Sequence, residues 1–141
     1  MTLKTFAIVE DSDDDFEAVT RVLNKENPDS CKINRYNTGD ELLQHLDKCL
    51  NENLPLPSLV LLDLNMPGTD GRSVLQQIKK HVNLKHLPII IMTTSDAAND
   101  IEECYKYGAN AYVTKAISFD HFSKRLIMLK EFWFNVAELP Q

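Results

Sequence analysis

The sequence predicts an α/β domain in which a parallel sheet of five strands carries helices on both faces. Three observations lead there. Short apolar runs alternate along the chain with stretches whose apolar residues recur at i, i+3, i+4 and i+7. Two of the runs, Leu59–Leu62 and Ile89–Thr93, lack the polar alternation of a half-solvated strand, as expected of central strands covered on both sides. Finally, 141 residues, 43% hydrophobic and 26% charged, suit one ordinary globular core. A domain of this size buries about 68–70% of its unfolded surface and needs no disulfide or structural metal.

The elements follow in order. Residues 3–9 read as the first strand, ending at Glu10-Asp11. Phe16, Val19, Thr20 and Leu23 then form the stripe of an amphipathic helix. Its acidic opening, Ser12-Asp13-Asp14-Asp15, suits the positive end of a helix dipole, and Asp13, Asp14 and Asp15 read as capping residues. Asn27-Pro28-Asp29 stops that helix. A strand at Cys31–Tyr36 precedes Thr38-Gly39-Asp40-Glu41, a Thr-x-x-Glu capping box that starts a helix with Leu42, Leu43, Leu46 and Leu50 inward. Leu59–Leu62 ends at Asp63, and the turn formers of residues 65–71 lead to a helix with Val74, Leu75, Ile78 and Val82 on one side. Pro88 introduces Ile89–Thr93. A helix with Ile101, Cys104 and Tyr105 inward ends at Gly108. Residues 111–115 form the fifth strand, and Ser118 caps a last helix running from Phe119 past Trp133.

Composition narrows the function. Fifteen Lys+Arg against 21 Asp+Glu give a net charge of −6, which argues against nucleic acid as a direct partner. No apolar run is long enough for a membrane span and no signal segment is visible, so a cytoplasmic protein is expected. Cys31, Cys49 and Cys104 lack any C-x-x-C pairing and read as reduced thiols. His45, His81, His86 and His121 lack metal-ligand spacing and read as solvated helix residues.

In a parallel α/β sheet, ligands bind outside the carboxyl ends of the strands. Those ends deliver Glu10 and Asp11 from the first strand, Asp63 from the third, Thr93 from the fourth and Lys115 from the fifth. Three carboxylates held together repel one another unless a cation sits among them, and an all-oxygen cluster suits Mg²⁺. Such a site is equipped to accept a phosphoryl group. Asp63 is the candidate nucleophile, followed by a tight turn that leaves its oxygen open. Asp11, Asp63 and the backbone carbonyl of Asn65 would hold Mg²⁺, with Glu10 reaching it through a water. Lys115 and Thr93 would meet the phosphoryl oxygens.

Four blocks carry a resemblance: Ile8-Val9-Glu10-Asp11; Leu61-Leu62-Asp63-Leu64-Asn65-Met66-Pro67-Gly68-Thr69-Asp70-Gly71; Pro88-Ile89-Ile90-Ile91-Met92-Thr93-Thr94; and Tyr112-Val113-Thr114-Lys115. In this order and spacing the chain resembles the receiver domain of two-component response regulators. The resemblance implies a flavodoxin-like, chemotaxis-receiver-like fold with strand order 2-1-3-4-5. It also implies Asp63 as the phosphorylated aspartate, Glu10 and Asp11 as the acidic pair, Thr93 and Lys115 as switch residues, and a sensor histidine kinase as donor. Glu131-Phe132-Trp133 and Leu139-Pro140 resemble the end of small stand-alone receivers that serve cyanobacterial phytochromes, which implies a phytochrome-type kinase. Ala116 departs from the family, where Pro with a cis bond is usual, and a non-Pro cis bond costs about 2.5–4 kcal/mol.

On this reading residues 1–130 are the receiver and 131–141 an extension, with no output domain. The device would catalyse its own phosphorylation and dephosphorylation and signal through protein contacts. Thr93 would swing to the phosphoryl group and Tyr112 rotate into the vacated space. Ile127, Met128, Phe132, Trp133 and Phe134 make the last helix apolar nearly all round, which predicts a homodimer through this helix and tail. Two other functions compete: a degenerate receiver acting as a constitutive interaction scaffold, and a phosphatase with an aspartyl nucleophile. Asn65 stands where such phosphatases carry a second acid.

Overall fold

The computed structural model describes residues 4–25, 31–66, 68, 70–115 and 118–140. The helix stop expected at Asn27-Pro28-Asp29 and the departure at Ala116 lie outside these residues. Five strands, β1 (Lys4–Val9), β2 (Cys31–Tyr36), β3 (Leu59–Leu62), β4 (Ile89–Thr93) and β5 (Ala111–Thr114), alternate with α1 (Asp13–Asn24), α2 (Gly39–Glu52), α3 (Gly71–Lys80), α4 (Ala98–Lys106) and α5 (Phe119–Glu131). All strand pairs are parallel, in the order β2-β1-β3-β4-β5. The expected fold is therefore the observed one.

Period-two alternation divides each central strand between two cores. Ala7, Val9, Val60, Leu62, Ile89 and Ile91 pack with Leu42 and Leu46 of α2, Val74, Leu75 and Ile78 of α3 and Cys104 of α4. Phe6, Ile8, Leu59, Leu61, Ile90 and Met92 face Val19 and Leu23 of α1 and Phe122, Leu126 and Leu129 of α5. Because both faces are covered, β3 and β4 are buried throughout. The register sets where the strands end together. Val9 pairs with Leu62, Leu62 with Ile91, and Thr93 with Thr114, so the residues that follow emerge side by side on one edge.

The helix starts follow their capping chemistry. Thr38 Oγ1 accepts the Glu41 N–H at 3.2 Å, and the Glu41 carboxylate reaches back to the N–H of Asn37, one residue before the cap. Ser118 Oγ accepts from the His121 N–H at 3.2 Å. Asp70 caps α3 through the Arg72 N–H at 3.0 Å. Gly71, the first residue of α3, meets the backbone of the β3 end: a Cβ there would lie 2.5 Å from the Asp63 carbonyl oxygen and 2.8 Å from Leu64 Cα. Only glycine lets this helix approach so closely.

Several inward assignments change. Val82 lies beyond the end of α3 and is 71% exposed. In α4, Cys104 takes the inward position and Tyr105 is half exposed. His45 and His81 are half-buried rather than solvated, and His81 and His86 lie between α3 and β4 rather than on a helix; the His45 ring is 5.5 Å from that of Tyr36 and its Nε2 3.4 Å from Cys49 Sγ. All three cysteines are free thiols, as expected.

The largest correction is at Phe134. After α5 the chain widens into a π-helical turn, Phe132–Val136, closed by the Ala137 N–H on the Phe132 carbonyl at 2.7 Å. Five-residue spacing shifts the side chains around the axis relative to an α-helix. Phe134 thereby turns into its own chain's core, 7% exposed, with its ring centroid 4.5 Å from that of Phe6. Lys4 clasps the turn from β1, its ammonium on the Phe134 carbonyl and 5.6 Å from the ring centroid. Trp133 is partly buried beside the same core, whereas Ile127, Met128 and Phe132 remain exposed.

Candidate functional site

At the carboxyl edge, each expected residue is delivered by the strand named for it. Glu10, directly after β1, and Asp63, directly after β3, are buried, while Asp11 is exposed. Their carboxylates offer one oxygen each within 4.8 Å of one another. Lys115 follows β5, and its N–H donates to the Thr93 carbonyl at 2.7 Å, extending the ladder by one bond. Its ammonium enters the acidic group, donating to Glu10 Oε1 at 2.6 Å, Asp15 Oδ2 at 2.9 Å and Asp63 Oδ2 at 3.1 Å.

Charge and burial compete here. Burial raises the Glu10 pKa, and the negative charge of Asp63 adds to this, while the bond from Lys115 opposes it. Burial alone would lower the Lys115 pKa, but hydrogen bonds to Glu10 and Asp15 and the charges of Asp63 and Glu10 outweigh it and raise it. Lys115 is therefore a fixed ammonium. Glu10, Asp15 and Asp63 share the Lys115 ammonium, and Asp11 clusters with Glu10 and Asp63, so that acids outnumber the cation within their reach and the site attracts further positive charge. The three clustered donors are all carboxylate oxygens, with neither nitrogen nor sulfur, a set that fits a hard divalent ion such as Mg²⁺.

Asp63 is also braced locally. The Asn65 N–H donates to Asp63 Oδ1 at 3.0 Å, while the Asn65 side-chain amide donates to Thr93 Oγ1 at 3.2 Å. Thr93 is fully buried. The Ser95 N–H also points at Thr93 Oγ1, at 3.5 Å. With Oγ1 accepting from these groups, its own hydrogen is left to donate. Tyr112 sits half-buried on β5, its hydroxyl donating to the Ser95 carbonyl at 2.8 Å and its N–H donating to Tyr105 Oη at 3.1 Å.

Some parts of this site escaped the sequence. Asp15 fits a helix first turn in the sequence, yet its carboxylate also binds Lys115. Arg35 at the end of β2 donates from Nε to the Glu10 carbonyl at 3.0 Å, pairs with Asp13 Oδ1 at 2.7 Å and lies 4.8 Å over the Phe16 ring. Arg72 at the start of α3 pairs with Asp100 of α4, whose other oxygen accepts from Ser95 Oγ at 2.5 Å. That chain of contacts ties the loop after Thr93 to two helix starts. No local pattern announces any of these, since each joins residues far apart in the chain or a loop to the following helix.

Comparison with known proteins gives this geometry a family. The profile of the response regulator receiver domain matches residues 6–127. The response regulator Rcp1 of Synechocystis sp. is 39% identical over 89 residues, which cover 63% of this chain and 60% of that protein, so the match spans less than two thirds of the relative's length. Among solved structures, the phosphorylated cyanobacterial phytochrome response regulator RcpA superposes with a TM-score of 0.91 at 30% identity, covering 99% of this chain and all of that one. The Mn²⁺-bound form of Rcp1 gives a TM-score of 0.85 at 33% identity, covering 98% of this chain and 99% of the other. The profile match, the shared fold and the acidic pocket facing a strand-end lysine lead to one assignment: this chain belongs to the response regulator receiver domain family and is related to phytochrome response regulators.

Proposed function

We propose that this receiver accepts a phosphoryl group on Asp63 from a sensor histidine kinase. The observation that carries the reading is the joint placement of Asp63 Oδ2 on the Lys115 ammonium and Asp63 Oδ1 on the Asn65 N–H, inside a carboxylate cluster. An Asp63 carboxylate oxygen attacks phosphorus, forming an acyl phosphate. The bond from phosphorus to the donor breaks, and its electron pair leaves with the kinase histidine nitrogen, which takes a proton from water. Lys115 gives its charge to one phosphoryl oxygen and Thr93 a hydroxyl hydrogen to another. Glu10, Asp11, Asp63 and the Asn65 backbone carbonyl would hold Mg²⁺, which when bound neutralises phosphoryl charge. Hydrolysis of the acyl phosphate returns Asp63 to its starting state.

The phytochrome relationship favours a phytochrome-type kinase as donor. Phosphorylation adds about −1.5 to −2 charges at Asp63. Thr93 moves to the phosphoryl group, and Tyr112 leaves the Ser95 carbonyl for the space beside it. Residues 1–130 act as the receiver and 131–141 as an extension that supports a homodimer. Among the described residues no helix is long and apolar enough to cross a membrane, and the net charge of −6 favours a protein as the downstream partner over nucleic acid. The homodimer would pack the exposed Ile127, Met128 and Phe132 and the partly buried Trp133 of the last helix and tail against a second chain; Phe134, buried against Phe6, is taken up by its own core and has no part in it. Light scattering at micromolar concentration checks this, and a monomer overturns it.

The phosphoacceptor reading is tested by incubating wild type and Asp63→Asn with acetyl phosphate and following intact mass with and without Mg²⁺. A Mg²⁺-dependent phosphate adduct on wild type alone is expected. No adduct under any condition overturns the reading and leaves a constitutive scaffold.

A further inference from the structure

The cap of α1 uses its residues in an unusual way. In a Ser-x-x-acid helix start, the acid reaches back to the N–H of the capping serine. Here the Ser12 N–H is directed instead at Glu10 Oε2, 3.4 Å away. Asp15, whose N–H donates to Ser12 Oγ at 3.2 Å, is thus relieved of its local hydrogen bond. Its carboxylate crosses the site to Lys115 Nζ at 2.9 Å, a hundred positions along the chain. The cap holds the Asp15 backbone on the first turn of a packed helix, so the carboxylate is presented from a rigid element.

The three carboxylates on Lys115 differ in their other duties. Glu10 and Asp63 belong to the group proposed to hold the cation and the phosphoryl group, and either will exchange the ammonium for those. Asp15 lies outside the metal-ligand cluster, and its side chain is half exposed. We propose that Asp15 is a positioning residue for Lys115, keeping the ammonium over the site while Glu10 and Asp63 engage the cation and the incoming phosphoryl group. This inference rests on the reading of Asp63 as phosphoacceptor. An opposing effect exists, because the Asp15 charge repels an anionic phosphodonor. Its exposure to water screens that longer-range repulsion, whereas the orientation supplied by a direct bond is lost wholly on truncation.

The test measures phosphate uptake from acetyl phosphate, at fixed Mg²⁺ and varied donor concentration, by intact mass. The proteins are wild type, Asp15→Ala, Asp15→Glu, Lys115→Met and the Asp15→Ala/Lys115→Met double variant, with a thermal melt of each. Asp15→Ala is expected to lower the limiting rate about five- to tenfold, with the half-saturating donor concentration moving less than about twofold. Asp15→Glu, an acid still within reach, regains most of that rate. With Lys115 already replaced, removing Asp15 slows the reaction no further. A purely helix-capping role would instead lower the melting temperature and multiply the Lys115→Met defect. Asp15→Ala reacting within about twofold of wild type, or Asp15→Glu as slow as Asp15→Ala, overturns the proposal. If wild type takes up phosphate while Asp15→Ala keeps pace, only this inference fails; if wild type takes up none, the reading of Asp63 fails first and this inference with it.

Discussion

Replacing Gly71 with Ala places one methyl group where α3 abuts the backbone that follows β3. The new Cβ would stand 2.5 Å from the Asp63 carbonyl oxygen and 2.8 Å from Leu64 Cα, and both are backbone atoms that cannot swing aside as a side-chain tip would. Ordinary carbon–oxygen contact requires α3 and the Asp63–Leu64 backbone to separate by roughly 0.5–1 Å. Overpacking of this kind costs about 1–3 kcal/mol. Alanine recovers about 0.5–1 kcal/mol through helix preference and a less flexible unfolded chain. The net loss of about 1–2 kcal/mol corresponds to a fall in Tm of about 3–8 °C for a chain of this length. Function should suffer more than stability. Asp63 is held by the Asn65 N–H at 3.0 Å and the Lys115 ammonium at 3.1 Å, and a shift of that size disturbs both, with an expected loss of about tenfold or more in phosphorylation rate. Calorimetry and acetyl phosphate kinetics measure the two effects on one preparation. A Gly71→Ala protein that melts at or above the wild-type temperature and reacts at the wild-type rate would refute the claim that this contact sets the Asp63 geometry.

Other perturbations have defined outcomes. Added Mg²⁺ should raise the wild-type Tm more than that of Asp63→Asn, since a cation bound by the folded state stabilises it. Phe134→Ala empties the site beside Phe6 and should cost about 2–4 kcal/mol in urea denaturation, whereas Phe132→Ala on the exposed face should stay within about 0.5 kcal/mol unless a second chain covers it. Burial pushes the Cys104 thiol up to about 11, so at pH 8 it stays protonated and native protein should leave it unalkylated by iodoacetamide. Reaction should appear once urea unfolds the chain. Ser12→Ala should destabilise by about 1 kcal/mol through the lost cap of α1.

The fold was legible because its information is local. Apolar runs of strand length, helical stripes and the caps at Ser12, Thr38 and Ser118 each determine one element, and parallel connection brings the residues after β1, β3, β4 and β5 to one edge. Glu10, Asp63, Thr93 and Lys115 were visible for the same reason, as polar residues at or just beyond the ends of apolar strands. What stayed hidden depends on contacts between distant segments or on departures from ideal geometry. Asp15 fits a helix first turn so well that its second bond, to Lys115, leaves no separate trace. The ties from Arg72 to Asp100 and from Asp100 to Ser95 carry no signature because ion pairs have no sequence period. α-Helical spacing places Phe134 outward, and the π-helical turn that brings it onto Phe6 rotates it inward. Val82 and Tyr105 show that an apolar or aromatic residue extends a stripe only while the helix lasts and its inward side has room.

Among all the acids crowded at this edge, Asp63 is the one proposed to receive the phosphoryl group. Borohydride reduces an aspartyl phosphate to homoserine but leaves a free carboxylate unchanged, and peptide sequencing by mass then locates the product. After treatment with acetyl phosphate and Mg²⁺, homoserine is expected at position 63 and at no other acid. Homoserine at Glu10's neighbour Asp11 or within Asp13, Asp14 and Asp15 instead, or at no position while the protein remains folded, would contradict the account.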